Sequence, residues 1–132
     1  MTEQELNRAR ELRKRICDVE WKIIKLRAGA EDLVPLLDGM PHGNEMRSRV
    51  ENLAVKILTA EEELTNLRGQ FVEAAVDLTE EIERAELDEL EKAVLTMRYA
   101  TCLNFLDIQD KLRITDATMF YVHRKALKKI FK

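Results

Sequence analysis

With 132 residues the chain has room for one domain, or for one small domain with an extended appendage, since single cores occupy on the order of 100–150 residues. Hydrophobic residues make up 45% and charged residues 36%, but aromatics only 5%, with four Gly and two Pro; this balance disfavours a turn-rich sheet protein and predicts an all-α chain. Two isolated cysteines exclude a disulfide framework and a thiol-rich metal knuckle, and there is neither an apolar leader nor an apolar span of about 20 residues, so reduced, buried thiols in a soluble cytoplasmic protein without a membrane segment are expected.

The first predicted element is a helix over roughly residues 3–29. Ala9, Leu12, Ile16, Val19, Ile23 and Leu26 recur at alternating steps of three and four, which is a heptad seam. Cys17, Trp21 and Ile24 form a second stripe on a different face, implying a second contact surface. Residues 29–44, GAEDLVPLLDGMPHGN, gather three glycines and both prolines and read as the hinge to the next helix, with Leu33, Leu36 and Leu37 able to form a short packed turn.

A second helix is predicted from about residue 45 to 86, with Val50, Leu53, Ile57, Ala60, Leu64, Leu67, Phe71, Ala74 and Leu78 in register and a phase change at the four-residue step to Ile82. At 1.5 Å per residue these helices would be about 40 and about 63 Å long, so the first would leave part of the second uncovered. Val55, Leu58, Val72 and Val76 form a further apolar stripe there, and homodimerisation through the N-terminal helices is expected to bury it. The division is thus a helical hairpin, coiled-coil-like and dimerising, over residues 1–86, and a separate unit over residues 87–132.

Charge divides the chain at nearly the same place. Residues 1–91 hold 13 Lys+Arg against 22 Asp+Glu, whereas residues 92–132 hold 9 against 3, so the C-terminal end is the candidate polyanion-binding end. That end breaks into three short helical units, LDELEKAVLTMRYA, NFLDIQDKLR and TDATMFYVHRKALKKIFK, with Asp88, Asn104 and Thr115 placed to cap them.

The string AVLTMRYATCLNFLDIQDKLRITDATMFYVHRKALKKI resembles region 4 of bacterial sigma factors: a VLxLRY helix, a short turn, an EIAxxLGIS unit and a recognition helix ending in HRxALKKL. Together with the long helices before it and the MPHGN hinge, it is similar to small phage and prophage proteins of Gram-positive bacteria, akin to late-operon transcription regulators of the RinA and ArpU type. The resemblance implies a three-helix helix-turn-helix module after an antiparallel hairpin, acting on double-stranded DNA or beside RNA polymerase in a bacterial host cell.

It also implies core positions at Leu95, Met97, Tyr99, Leu103, Ile108, Leu112, Ile114, Met119, Val122, Ala126, Leu127 and Ile130. Asp116, Ala117, Thr118, Phe120 and Tyr121 fall where such modules face base edges, and Arg124, Lys125, Lys128 and Lys129 where they track phosphates. Three positions depart from the pattern: Cys102 stands for a loop Gly, Gln109 for a small Ala, and Arg113 for the Gly of the tight turn, which serves a backbone with positive φ.

A different class of function remains open. Phe120 and Tyr121 are apolar where Arg or Gln is usual in base reading, and exposed aromatics suit protein interfaces, so a protein-binding inhibitor or adaptor is the alternative, with a purely structural coiled coil behind it. His42 and His123 lack a neighbouring thiol or carboxylate motif, and Glu61, Glu62, Glu63, Glu80 and Glu81 lack the Glu-x-x-His companion of a metal-binding bundle, so they read as a solvated face. With no Gly-rich phosphate loop, nucleophile elbow or zinc motif, neither enzyme activity nor a cofactor, metal or small-molecule substrate is expected.

Overall fold

The computed structural model describes the backbone of residues 1–37 and 44–131 and the side chains of residues 1–31 and 47–131. Among them there are five α-helices and no strand: α1 (Glu3–Leu37), α2 (Asn44–Arg84), α3 (Glu89–Leu95), α4 (Phe105–Leu112) and α5 (Asp116–Ile130), with a π-helical segment, Thr96–Ala100, continuing α3. The all-α expectation therefore holds. No helix of the described residues is long and apolar enough to cross a membrane.

The heptad seams are buried as their spacing dictates. On α1, Ala9, Leu12, Ile16, Val19 and Ile23 are buried; on α2, Ala60, Leu64, Leu67, Ala74, Leu78 and Ile82 are, so the phase step after Leu78 keeps both flanking residues inside. The second stripe also falls where expected, with Trp21 59% and Ile24 55% exposed.

Three expectations are corrected. First, α1 does not stop near Gly29 but continues through Pro35 to Leu37; nine residues of the expected hinge, 29–37, are helical, as is Asn44, and the remainder, residues 38–43 with His42, lies outside the described residues. A helix tolerates Gly at a cost of about 1 kcal/mol where nothing crowds it, and no atom lies within 4 Å of a Cβ built at Gly29. Second, α1 and α2 have 35 and 41 residues, so the length mismatch expected from sequence shrinks from about 23 Å to about 9 Å. Third, the thiols are free but not buried: Cys17 is exposed and Cys102 half-buried. Cys17 lies on the outward stripe with Trp21, which explains its exposure.

The chain forms two compact units, residues 14–68 and residues 1–13 with 69–132. The first is built from α1 and α2 around Ile16, Val19, Ile23, Ala60, Leu64 and Leu67, with ion pairs between Arg27 and Glu61 and between Arg68 and Glu20, 3.8 Å. Both pairs are solvent-exposed and contribute at most about 1 kcal/mol each.

The second unit holds two apolar clusters. One joins Leu6 of α1, Leu78 and Ile82 of α2, Leu95, Tyr99 and Ala100, and Ala126 and Ile130 of α5. The other gathers Val94, Ile108, Met119 and Val122, flanked by Met97, Leu103, Phe105, Leu112 and Ile114. Every core position expected in residues 95–130 is buried or partly buried in these clusters. The boundary expected at residue 86 falls inside this unit, because α3 and α5 alone leave an apolar face that Leu6, Leu78 and Ile82 cover.

Candidate functional site: the outer face of α5 and its supports

The α4–α5 connection begins with a Schellman-type end to α4. Arg113 is left-handed, φ 55 and ψ 48, and the Ile114 N–H donates to the Gln109 carbonyl at 3.2 Å. Ile114 then packs in the same cluster as Ile108, the apolar contact that accompanies this motif. Cys102 is left-handed too, φ 63, and ends the π-helical segment in a related way, with the Leu103 N–H donating to the Met97 carbonyl at 2.9 Å. These two are the only non-glycine residues with positive φ among those described, and both stand where the sigma pattern has Gly.

Two of the three expected caps form. The Asn104 side chain accepts from the Asp107 N–H at 2.8 Å and the Thr115 hydroxyl from the Thr118 N–H at 3.3 Å. Asp88 sits at the N-cap of α3 in extended conformation, but its carboxylate makes no capping bond.

Helix α5 is amphipathic by position. Met119, Val122, Ala126 and Ile130 are buried, while Asp116, Ala117, Thr118, Phe120, Tyr121, Arg124, Lys125 and Lys128 are exposed. The five residues expected to face bases therefore share the outer side of the first turns of α5. Phe120 is 47% and Tyr121 64% exposed, and Leu106 of α4 reaches 69%, so this face carries an apolar component.

The four expected phosphate contacts are not equivalent. Lys129 is half-buried and donates from Nζ to Glu91 Oε1 at 2.8 Å, and Lys125 lies 3.9 Å from Asp88; Arg124 and Lys128 make no ion pair with the described residues. Glu91 is 2% exposed, and its second oxygen, Oε2, has no hydrogen-bond partner among the described residues. That hydrogen bond, ahead of Glu91's charge, raises the Lys129 pKa. The sequence reading missed Glu91, although its spacing from Val94 and Leu95 puts it on their apolar face.

Behind the outer face lies a strip of aromatic and cationic groups. Tyr99 Oη is 2.8 Å from His123 Nε2 and the two rings stack, with centroids 5.8 Å apart. Phe105 meets His123 edge-on at 5.3 Å and Phe120 at a tilt at 5.4 Å. Arg98 lies 4.1 Å over the Phe105 ring and donates to the Leu103 carbonyl at 3.2 Å, while Arg10 of α1 lies 5.8 Å over Tyr99. Burial lowers the His123 pKa, helped by the charges of Arg98 and Arg10; burial also raises those of Tyr99 and Cys102. His123 is thus placed as a packed, hydrogen-bonded ring. No group of three or more potential metal ligands occurs among the described residues.

The family model described as a protein of unknown function, DUF1492, matches residues 38–130. No curated protein and no solved structure matches the chain.

Proposed function

We infer, for a chain that belongs to the DUF1492 family, a role as a phage-derived, DNA-binding transcription regulator that uses α4 and α5 as a sigma region 4-like helix-turn-helix. One observation carries this reading: α5 follows a tight left-handed turn and holds Asp116, Ala117, Thr118, Phe120 and Tyr121 outward over a packed core, with Arg124 and Lys128 beside them without carboxylate partners among the described residues. Exposed Lys and Arg supply sequence-independent phosphate affinity, and the first turns of such a helix reach base edges in the major groove.

The N-terminal helices serve as an antiparallel, coiled-coil-like hairpin through which two copies associate. Glu20 pairs with Arg68 and Arg27 with Glu61, partners that run in opposite chain order. Within the unit of residues 14–68, Trp21, Ile24, Val55 and Leu58 are at least half exposed, apolar area that a second copy would cover. The promoter DNA and RNA polymerase of a bacterial host are the intended partners, and the reading includes no catalysis.

Titration of a labelled duplex from the gene's own locus at several salt concentrations tests the proposal. Binding that weakens steeply with salt, and weakens further in Arg124→Gln/Lys128→Gln, supports it; the absence of salt-sensitive binding defeats it. A second reading, a protein-binding inhibitor or adaptor, draws on the exposure of Leu106, Phe120 and Tyr121. Under that reading Phe120→Ala/Tyr121→Ala abolishes capture of a host protein and leaves DNA affinity unchanged.

A further inference from the structure

Two arginines that the resemblance does not place at DNA, Arg10 and Arg98, lie on the strip behind α5, and a third, Arg13, follows Arg10 by one turn of α1. Arg10 lies over Tyr99, whose hydroxyl contacts His123, the residue before Arg124; Arg98 covers Phe105, which touches both His123 and Phe120. Arg13, one turn beyond Arg10 on α1, is exposed, and its charge reaches Cys102 in the loop before α4, as do those of Arg10 and Arg98. Arg10 and Arg98 also lie within each other's field, which, after burial, lowers the Arg98 pKa.

None of the three makes an ion pair among the described residues. The nearby acid whose field is felt at Tyr99 is Glu3, and it neutralises no arginine by contact. Carboxylates are plentiful on this chain, with 25 Asp+Glu against 22 Lys+Arg, so a cluster of guanidiniums without one is not a consequence of composition. Like charges held together destabilise a fold unless an anion offsets them, and guanidinium forks match phosphate oxygens well.

We propose that Arg10, Arg13 and Arg98 form a second phosphate-binding face, beside α5, that grips the backbone of the same DNA duplex. The inference rests on the DNA-binding reading above and extends it to α1. Several separate cations spread over two helices suit a repeating polyanion better than one small anion. The face supplies affinity and no base recognition, since phosphate contacts carry no sequence information. Arg10 also holds its place by its contact with Tyr99, which ties the first turns of α1 to the DNA-binding helix.

The test is a salt titration of the full chain on a random-sequence duplex of 30 base pairs, because a phosphate face needs no operator. Each lost phosphate contact flattens the slope of log K against log salt by about 0.9, so Arg10→Gln/Arg13→Gln is expected to reduce it by about 1.8 and to weaken binding tenfold or more at low salt. Arg10→Lys/Arg13→Lys keeps the charge and is expected to restore the slope, while thermal melts confirm that both variants fold. Wild-type binding with an unchanged slope in the Gln variant overturns this inference and leaves the DNA-binding reading standing. A Lys variant as weak as the Gln variant also overturns it, assigning the arginines a packing role. A wild type that binds no DNA removes both.

Discussion

Replacing Arg113 by Gly removes a Cβ from a backbone held at φ 55 and ψ 48. An L-residue in this region costs roughly 1–2 kcal/mol, and glycine returns part of that gain as extra entropy of the unfolded chain, about 0.4–1 kcal/mol, leaving a net stabilisation of about 0.5–1 kcal/mol. The Arg113 side chain is exposed and makes no ion pair among the described residues, so its loss subtracts little. For a chain of this size the gain corresponds to a rise of about 2–4 °C in Tm. Scanning calorimetry or thermal circular dichroism of Arg113→Gly beside Arg113→Ala reads it, because Ala keeps the Cβ and with it the strain. The Gly variant is expected above wild type and the Ala variant at or below it. Equal Tm values for Gly and Ala, or a Gly variant below wild type, would refute the left-handed turn between α4 and α5.

Other consequences follow from the buried groups. Lys129→Met strands the buried Glu91 carboxylate and is expected to lower Tm, whereas Glu91→Gln/Lys129→Met loses less than Lys129→Met alone; the reverse order in a urea double-mutant cycle contradicts a paired Glu91. His123 has its pKa lowered in the fold, so its contribution is fully present above its unfolded pKa of about 6.5 and fades as pH falls through the lower folded value. Tm measured between pH 7.5 and 5 should therefore decline on the acid side, and the decline should be smaller in His123→Gln. Ile82→Ala empties a fully buried site in the cluster shared by α1, α2, α3 and α5 and is expected to cost about 2–4 kcal/mol in urea unfolding. A loss below 1 kcal/mol would show that the C-terminal helices do not lean on α2.

What the sequence made legible was whatever local spacing determines. The seam from Ala9 to Ile23 and from Ala60 to Ile82, the caps Asn104 and Thr115, and the burial of Ile108, Met119 and Ala126 all follow from helical periodicity and first-turn chemistry. The end of α1 was misplaced because Gly29 and Pro35 read as breakers, while the helix absorbs both. Partners distant in the chain were not legible. Leu6 meeting Ile82 and Ile130, Lys129 reaching Glu91, and Arg10 lying over Tyr99 are tertiary facts that no local pattern encodes.

Some signals were present but weak. Glu91 shares a helical face with Val94 and Leu95, and the run of Arg8, Arg10, Arg13, Lys14 and Arg15 stands out in an otherwise acidic stretch. Of the nine residues singled out for DNA, all lie on α5 and eight are exposed; Lys129 is drawn to Glu91. The positive φ at Cys102 and Arg113 supplies what the two departures from Gly left open, since the backbone keeps the conformation that glycine would favour.

The most direct test of the central claim is amide NMR of the labelled full chain during titration with duplex DNA from its own locus. If α5 lies in the major groove, the largest shift changes fall on residues 116–121 and on Arg124 and Lys128, and they diminish as salt is added. Saturating DNA that leaves the α5 amides unmoved, or that shifts only α1 and α2, would contradict a helix-turn-helix reading of this chain.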